Sequence, residues 1–215
     1  MPCGLHRGSH SVIFEQIPVG PMQNFAYLIG DEETGQAAVV DPAWDISAIE
    51  SFVKKHNLRV VLIIDTHSHH DHTSGNNELA KTTGAKIVAH ETSKLKKDIS
   101  VKDGEVLHVG SLEVRFIHTP GHSPDSMSIL VGNKLMTGDT LFVGECGRTD
   151  LPGGSSEQLY DSLFNKLAKL PDETEVHPGH DYATRSRSTI AYEKAHNYVL
   201  KPRTVREFIQ FMKEP

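Results

Sequence analysis

The apolar run Val60-Val61-Leu62-Ile63-Ile64 passes almost directly into His67-Ser68-His69-His70-Asp71-His72. A short unbroken apolar segment reads as a strand covered on both faces. The histidine-rich stretch is therefore predicted at the end of an interior strand. In extended chain, residues i and i+2 project to the same side, so His67 and His69 can grip one metal ion together. Asp71 and His72 fall where the chain begins to turn and can face a second ion beside the first. The plainer alternative is a polar loop, since the chain carries 14 histidines in 215 residues.

Companions further along argue against that alternative. Pro120-Gly121-His122 follows the strand-like 112–118, Thr137-Gly138-Asp139-Thr140 follows a short apolar stretch, and Pro178-Gly179-His180-Asp181 follows Glu175-Val176-His177. Each sets a His or Asp behind a Gly-bearing turn at a strand end, and agreement among independent signals predicts a metal centre. Imidazole and carboxylate donors suit zinc, iron or manganese.

Alternating periodicity and turn residues predict strands over 11–17, 24–29, 37–40, 60–64, 86–89, 105–109 and 112–117. A hairpin over 126–131 and 134–136 turns at Gly132-Asn133. Helical spacing predicts helices over 47–56, 75–83, 156–170, 188–199 and 204–212. The third of these carries Leu159, Leu163, Leu167 and Leu170 on one stripe, and the charged segment around 94–98 reads as a solvated loop. The length suits a single domain over 1–215, with a short helical extension over about 186–215. A formal net charge of -6 gives no electrostatic footprint for nucleic acid. No apolar run approaches the roughly 20 residues needed to span a bilayer, and no signal peptide is read at the N-terminus. Cys3 and Cys146 are expected as free thiols in a reducing compartment. A soluble, cytoplasmic protein follows as the expectation.

The order H-x-H-x-D-H, P-G-H, T-G-D, G-H-D resembles the metallo-β-lactamase superfamily, and the likeness begins at Asn24-Phe-Ala-Tyr-Leu-Ile-Gly and Val39-Val40-Asp41-Pro42. The resemblance implies a mixed α/β fold, a four-layer αββα sandwich with every ligand at one edge of its sheets. It implies that His67, His69 and His122 hold one ion and that Asp71, His72 and His180 hold another, with Asp139 bridging. Two divalent ions (Zn, Fe or Mn) are the expected cofactors. A single Fe(II) held by His67 or His69 with His122 and Asp139 is the alternative, a two-histidine, one-carboxylate arrangement.

Two branches of the superfamily are similar to this chain: glyoxalase II-like thioesterases and persulfide dioxygenases. Asp139-Thr-Leu-Phe with Cys146-Gly-Arg148-Thr-Asp150 resembles both. His180-Asp181-Tyr182 followed by Ser188-Thr-Ile190 and Glu193-Lys194 leans toward the dioxygenases. His70, Ser123-Pro-Asp-Ser126 and Gln23-Asn24-Phe-Ala-Tyr27 lean toward the hydrolases. Long glyoxalase II enzymes add a helical domain that helps bind glutathione, and only about two helices follow His180 here. Another thiol carrier, an ester or a lactone is therefore an open substrate. Arg148 is the candidate for a substrate carboxylate, because a planar guanidinium binds one bidentately. An ion pair with Asp150 is its structural alternative. Tyr182 is a candidate hydroxyl donor, with packing as its alternative, and Cys146 is expected as a packed side chain. Asp41 is expected to orient a metal-binding histidine from behind, whereas His70, His118 and His177 are expected in supporting roles.

The reading with the most support is a metal-dependent hydrolase of the glyoxalase II-like group. It would cleave a thioester or related bond by metal-bound hydroxide, with Asp71 orienting or deprotonating the water. The alternative is an iron-dependent persulfide dioxygenase that oxidises a glutathione-type persulfide to sulfite. The expected partner is a small-molecule thioester, ester or thiol-derived substrate, with no nucleic acid and no membrane. The oligomeric state is open, a homodimer included.

Overall fold

The computed structural model describes residues 12–214. Six strands form the first sheet in sequence order: β1 (Val12–Val19), β2 (Asn24–Asp31), β3 (Gln36–Val40), β4 (Arg59–Ile64), β5 (Lys86–His90) and β6 (Ile99–Val101). A second sheet contains β7 (Val106–Val109), β8 (Leu112–His118), β9 (Met127–Val131) and β10 (Lys134–Gly138). Between β10 and its next neighbour in that sheet, the chain makes a two-strand ribbon, β11 (Leu141–Phe142) and β12 (Glu145–Cys146). It then returns as β13 (Glu175–Pro178) beside β10 and as the edge strand β14 (Ser188–Thr189).

Side-chain alternation explains the layering. Along β2, Phe25, Tyr27 and Ile29 enter the core between the sheets, while Ala26 and Leu28 face the opposite layer. That layer is built by α1 (Ser47–Lys55) and α3 (Asn76–Thr83), with the short α2 (His70–Thr73) before it. Ile46, Ile49, Phe52 and Val53 supply the apolar stripe, as their spacing predicted. On the far side of the second sheet lie α4 (Ser156–Tyr160), α5 (Ile190–His196) and α6 (Val205–Phe211), with Leu159, Leu163, Leu167, Ile190 and Phe208 in a third core cluster. Two sheets packed face to face and covered by helices on both outer faces make the expected αββα sandwich.

Besides the unpredicted β11–β12 ribbon and the short α2, the sequence expectations differ from the structure in three places. The helix predicted over 156–170 is α-helical only through Tyr160; it widens to a π-helical segment over Asp161–Lys166 and tightens to a 3₁₀ turn over Leu167–Lys169. Leu159, Leu163 and Leu167 repeat every four residues, which drifts around a 3.6-residue helix, and a wider turn keeps all three on the core. The helix predicted over 188–199 begins late, because Ser188 and Thr189 pair with Val176 and Glu175. It ends at Asn197, whose side chain accepts from Val199 N and caps a 3₁₀ turn over Tyr198–Leu200. Directly after the segment read as a charged loop, Ile99–Val101 adds an unpredicted strand, anchored where Asp98 Oδ2 accepts from Ile87 N at 2.9 Å. Cys146 is a buried free thiol, pushed up in pKa by burial, whereas Cys3 lies outside the described residues. Among the described residues no helix is long and apolar enough to cross a membrane.

His177 on β13 is fully buried beside Phe14, with Nε2 3.1 Å from Glu175 Oε2. Burial pushes its pKa down to about 4, against the pull of Glu175. In the unfolded chain an imidazole titrates near 6.5, so the unfolded state takes the proton first as pH falls. The folded state is therefore penalised progressively from about pH 6.5 toward pH 4, by about 2 to 3 kcal/mol at the lower limit. Urea unfolding at pH 7 and pH 4.5 should show that loss in the parent chain and a flatter response in His177→Gln. Equal slopes in both would contradict the assignment.

Candidate metal centre

Strand direction gathers the candidate ligands. In the second sheet β8 and β10 both run antiparallel to β9, and β13 runs parallel to β10, so β8, β10 and β13 end on the same side. His122, Asp139 and His180 follow those three ends. His67 to His72 follow β4. The two sheets are stitched at this edge by backbone bonds, Met127 N to Thr66 O at 2.8 Å and Phe25 N to Gly179 O at 2.9 Å. Two glycines make the turns possible. Gly121 has φ +142°, and a Cβ there would lie 2.4 Å from Leu159 Cα. A Cβ on Gly179 would sit 2.4 Å from Asp139 Oδ1.

Seven side chains meet in three overlapping groups: His67, His69 and His122; His67, His72 and Asp139; and Asp71, His72 and His180. Hydrogen bonds on the outer side of the rings determine which nitrogens face inward. His122 Nδ1 lies 2.9 Å from the Arg148 carbonyl and His180 Nδ1 lies 2.9 Å from the Met22 carbonyl. A carbonyl only accepts, so both Nδ1 atoms carry hydrogen. His72 Nδ1 donates in the same way to Asp41 Oδ2 at 3.0 Å. Thr66 Oγ1 gives its hydrogen to Asp41 Oδ2 at 2.6 Å, so it accepts from His67 Nδ1 at 3.1 Å.

Four imidazoles thus turn Nε2 toward the centre. His67 Nε2 and His122 Nε2 lie 3.1 Å and 2.9 Å from His69 Nδ1, and His72 Nε2 lies 3.3 Å from His180 Nε2. Between His67 and His69 the lone pairs of neutral rings repel at such a distance, and a shared cation removes the repulsion. Asp139 stands between the groups: Oδ1 is 3.4 Å from His72 Nε2, and Oδ2 is 3.6 Å from His122 Nε2 and 3.3 Å from His180 Nε2. Its Oδ1 is buried with no hydrogen-bond donor. This donor set fits divalent metal ions.

The two groups differ electrostatically. Burial and the neighbouring His72 press His67 well below the usual imidazole range. Burial also disfavours charge on His72, yet Asp139 and Asp41 outweigh it and hold the ring well above that range. For His180 burial is again opposed, by Asp139 and Asp71, and the pKa rises to about 9. Asp139 and Asp71 resist the effect of burial and stay well below the carboxylate range beside these rings. An ion entering between Asp71, His72 and His180 therefore displaces a proton as it binds.

Asp41 acts as the backstop. Its Oδ1 accepts from Thr66 N at 2.7 Å, and its Oδ2 serves both Thr66 Oγ1 and His72 Nδ1. One carboxylate thus orients rings in both groups, from a backbone held at φ +50°. Asp41→Ala should weaken metal affinity by roughly 10- to 100-fold, read by competition with a chromophoric chelator. An unchanged affinity would assign Asp41 a purely structural role.

The other candidates are placed as follows. The Arg148 guanidinium forks onto Asp150 with both contacts at 2.6 Å, and both side chains are exposed. Tyr182 is 56% exposed and its ring stacks on His180, centroids 4.7 Å apart. His70 points away from the cluster, edge-on to Trp44. His118 is hydrogen-bonded to the Pro124 carbonyl and stacks on His90. Two contributors were not singled out from sequence. Thr66 fixes the tautomer of His67, and Asn24 Nδ2 donates to Asp71 Oδ2 at 3.0 Å. Thr66 adjoins the motif in sequence, whereas Asn24 arrives from another strand and leaves no local signal.

Comparison with known proteins gives a consistent placement. The description "Metallo-beta-lactamase superfamily" matches residues 19–180. Human mitochondrial persulfide dioxygenase ETHE1 is 31% identical over 87% of this chain and 75% of its own length. A hydroxyacylglutathione hydrolase of Polaromonas sp. is 37% identical over 85% of this chain and 72% of its own. The crystal structure of ETHE1 from Myxococcus xanthus superposes with a TM-score of 0.90 at 39% identity, covering 94% of this chain and 90% of that one. The chain spans about half the length (51%) of a beta-lactamase hydrolase-like protein of Agrobacterium fabrum, to which it is 35% identical over 86% of its residues. With the strand-end ligands, the sandwich and these relatives in agreement, the chain belongs to the metallo-beta-lactamase superfamily.

Proposed function

We propose that this chain is a metal-dependent hydrolase of the glyoxalase II-like group, acting on a small-molecule thioester or a related ester or lactone. The observation that carries the reading is the pair of ligand groups meeting on Asp139. In this assignment His67, His69 and His122 hold one ion, Asp71, His72 and His180 hold the other, and Asp139 touches both. The domain proposed is the whole of 1–215, with 186–215 as a helical extension, working in the cytoplasm.

Two divalent ions, when bound, supply Lewis acidity and lower the pKa of a water from about 15.7 to near 7. The protein's own part is positioning. Asp71 is steadied by Asn24 and has Oδ2 within 3.4 Å of both His72 Nε2 and His180 Nε2. From there it would orient the attacking water or take its proton. Buried Asp41 and Thr66 keep the rings in register so that the geometry does not relax between turnovers. Tyr182, stacked on His180 at the exposed rim, is proposed to touch the substrate. Arg148 joins it only if its fork onto Asp150 opens.

A second reading, persulfide oxidation at one Fe(II), is favoured by the near-complete match to the Myxococcus xanthus ETHE1 structure. It would use His67 or His69 with His122 and Asp139. One experiment separates the two. Protein loaded anaerobically with Fe(II), and separately with Zn(II), is given an S-(hydroxyacyl)glutathione and then glutathione persulfide with oxygen. Thioester cleavage without oxygen uptake supports the hydrolase. Rapid oxygen uptake with sulfite formation would replace it with the dioxygenase.

A further inference from the structure

A cleft of about 640 Å³ is lined by the half-buried His69, and Arg148 is not among its lining residues. Ser68 and His69 belong to its lining, Pro124, Leu151 and Pro152 give it apolar surface, and Lys94 joins the lining from the β5–β6 loop. That loop is tied down on both sides of Lys94. Thr92 Oγ1 donates to the Pro124 carbonyl at 3.3 Å, and Lys97 Nζ donates to the Ser93 carbonyl at 2.6 Å. Neighbouring charges are already matched, since Glu91 pairs with Lys102 at 3.6 Å. Among the described residues no carboxylate pairs with Lys94, which is exposed.

The electrostatics of the cleft are therefore asymmetric. Arg148, the other cation near the centre, is neutralised by a bidentate contact with Asp150. The one carboxylate in the lining, Asp125, is buried; its Oδ1 accepts a 2.7 Å hydrogen bond from Ser123 Oγ and its Oδ2 has no hydrogen-bond partner, so Lys94 is the exposed charge of the lining. A molecule in the cleft beside His69 meets hydrocarbon and proline rings together with an unpaired ammonium. A cation without a protein partner in the lining of a largely apolar cleft selects ligands with an anion at the matching position.

We infer that Lys94 is a specificity-determining residue that binds the carboxylate of an anionic acyl substrate, whose short apolar stem lies along Pro124, Leu151 and Pro152. The inference rests on the hydrolase reading for the word substrate, but the binding preference itself can be measured without turnover. Lys94 touches no ligand of the metal cluster, so its role is in recognition rather than in bond cleavage.

The test uses an unreactive thioether, S-(4-carboxybutyl)-N-acetylcysteamine, and its neutral methyl ester, titrated calorimetrically into the zinc-loaded full chain. The carboxylate form should bind about tenfold more tightly than the ester, and the preference should shrink with added salt as an exposed ion pair requires. Lys94→Ala should abolish the preference and leave ester affinity unchanged, while Lys96→Ala, on the same loop outside the cleft, should retain it. A preference that survives Lys94→Ala would mean that the carboxylate binds the metal centre instead, and the inference would be overturned. The absence of any preference in the parent chain would overturn it too. Hydrolysis of the matching N-acetylcysteamine thioester is measured in parallel. If no cleavage occurs while the Lys94-dependent preference holds, the hydrolase reading fails and the binding inference stands.

Discussion

Asp139→Ala is expected to reduce turnover of any substrate by at least about 10³-fold, equivalent to roughly 4 kcal/mol of transition-state stabilisation. Asp139 lies within 3.6 Å of rings from both groups, so its loss uncouples the two. Its carboxylate also offsets the positive charge that gathers when ions bind among five imidazoles. Elemental analysis after dialysis should show less than one ion per chain in the variant. The alternative cause, collapse of the fold, is separable. The ligand strands are held by two sheets and three apolar clusters that do not include Asp139, so far-UV circular dichroism should be unchanged. Asp139→Asn keeps the shape and removes the charge, and it should resemble Asp139→Ala in metal content. A variant that keeps two tightly held ions and turns over within tenfold of the parent would remove Asp139 from the centre.

The metal cluster was legible because its members sit at strand ends that the sequence marks by an apolar run, a Gly-bearing turn or both. His122, Asp139 and His180 each follow a strand-like stretch and a Gly-bearing turn, His67 follows the apolar run without a glycine, and the structure brings all four together. Thr66 shares the strand end of His67 but, like Asn24, is not a ligand residue type. Their roles depend on which way a hydroxyl and an amide point, which tertiary packing determines. The sandwich was legible from alternation, as along β2, where odd residues face one layer and even residues the other. The segment 156–170 was harder to read. A leucine every four residues signals a buried face, but it does not distinguish an α-helix from one widened by a π-helical segment. The turn is widened in place, where Ser162 Oγ donates to the Pro120 carbonyl at 2.7 Å beside the turn that carries His122. Arg148 shows a different limit. A neighbouring Asp150 two residues away is visible in sequence, yet whether the pair closes depends on loop conformation, and here it is closed.

Asp71→Ala carries the second large effect and tests the chemistry rather than the metal. In the hydrolase reading Asp71 orients and deprotonates water, a role worth about 10²- to 10⁴-fold in general-base catalysis, and it is also a ligand. Hydrolysis should therefore fall by at least about 10³-fold, while His67, His69 and His122 keep one ion. In the dioxygenase reading the reacting iron uses His67 or His69 with His122 and Asp139, so Asp71→Ala should leave oxygen uptake within about tenfold of the parent, whereas His122→Ala abolishes it. Asn24→Ala gives a graded version, because it removes the 3.0 Å bond to Asp71 Oδ2 and leaves every ligand in place. A hydrolase should then lose rate at nearly constant metal content, since an unsteadied carboxylate spends less time aimed at the water. If instead Asn24→Ala and Asp71→Ala both spare the reaction that His122→Ala destroys, catalysis belongs to the His67, His69 and His122 side alone, and the second group serves to hold Asp139 in position.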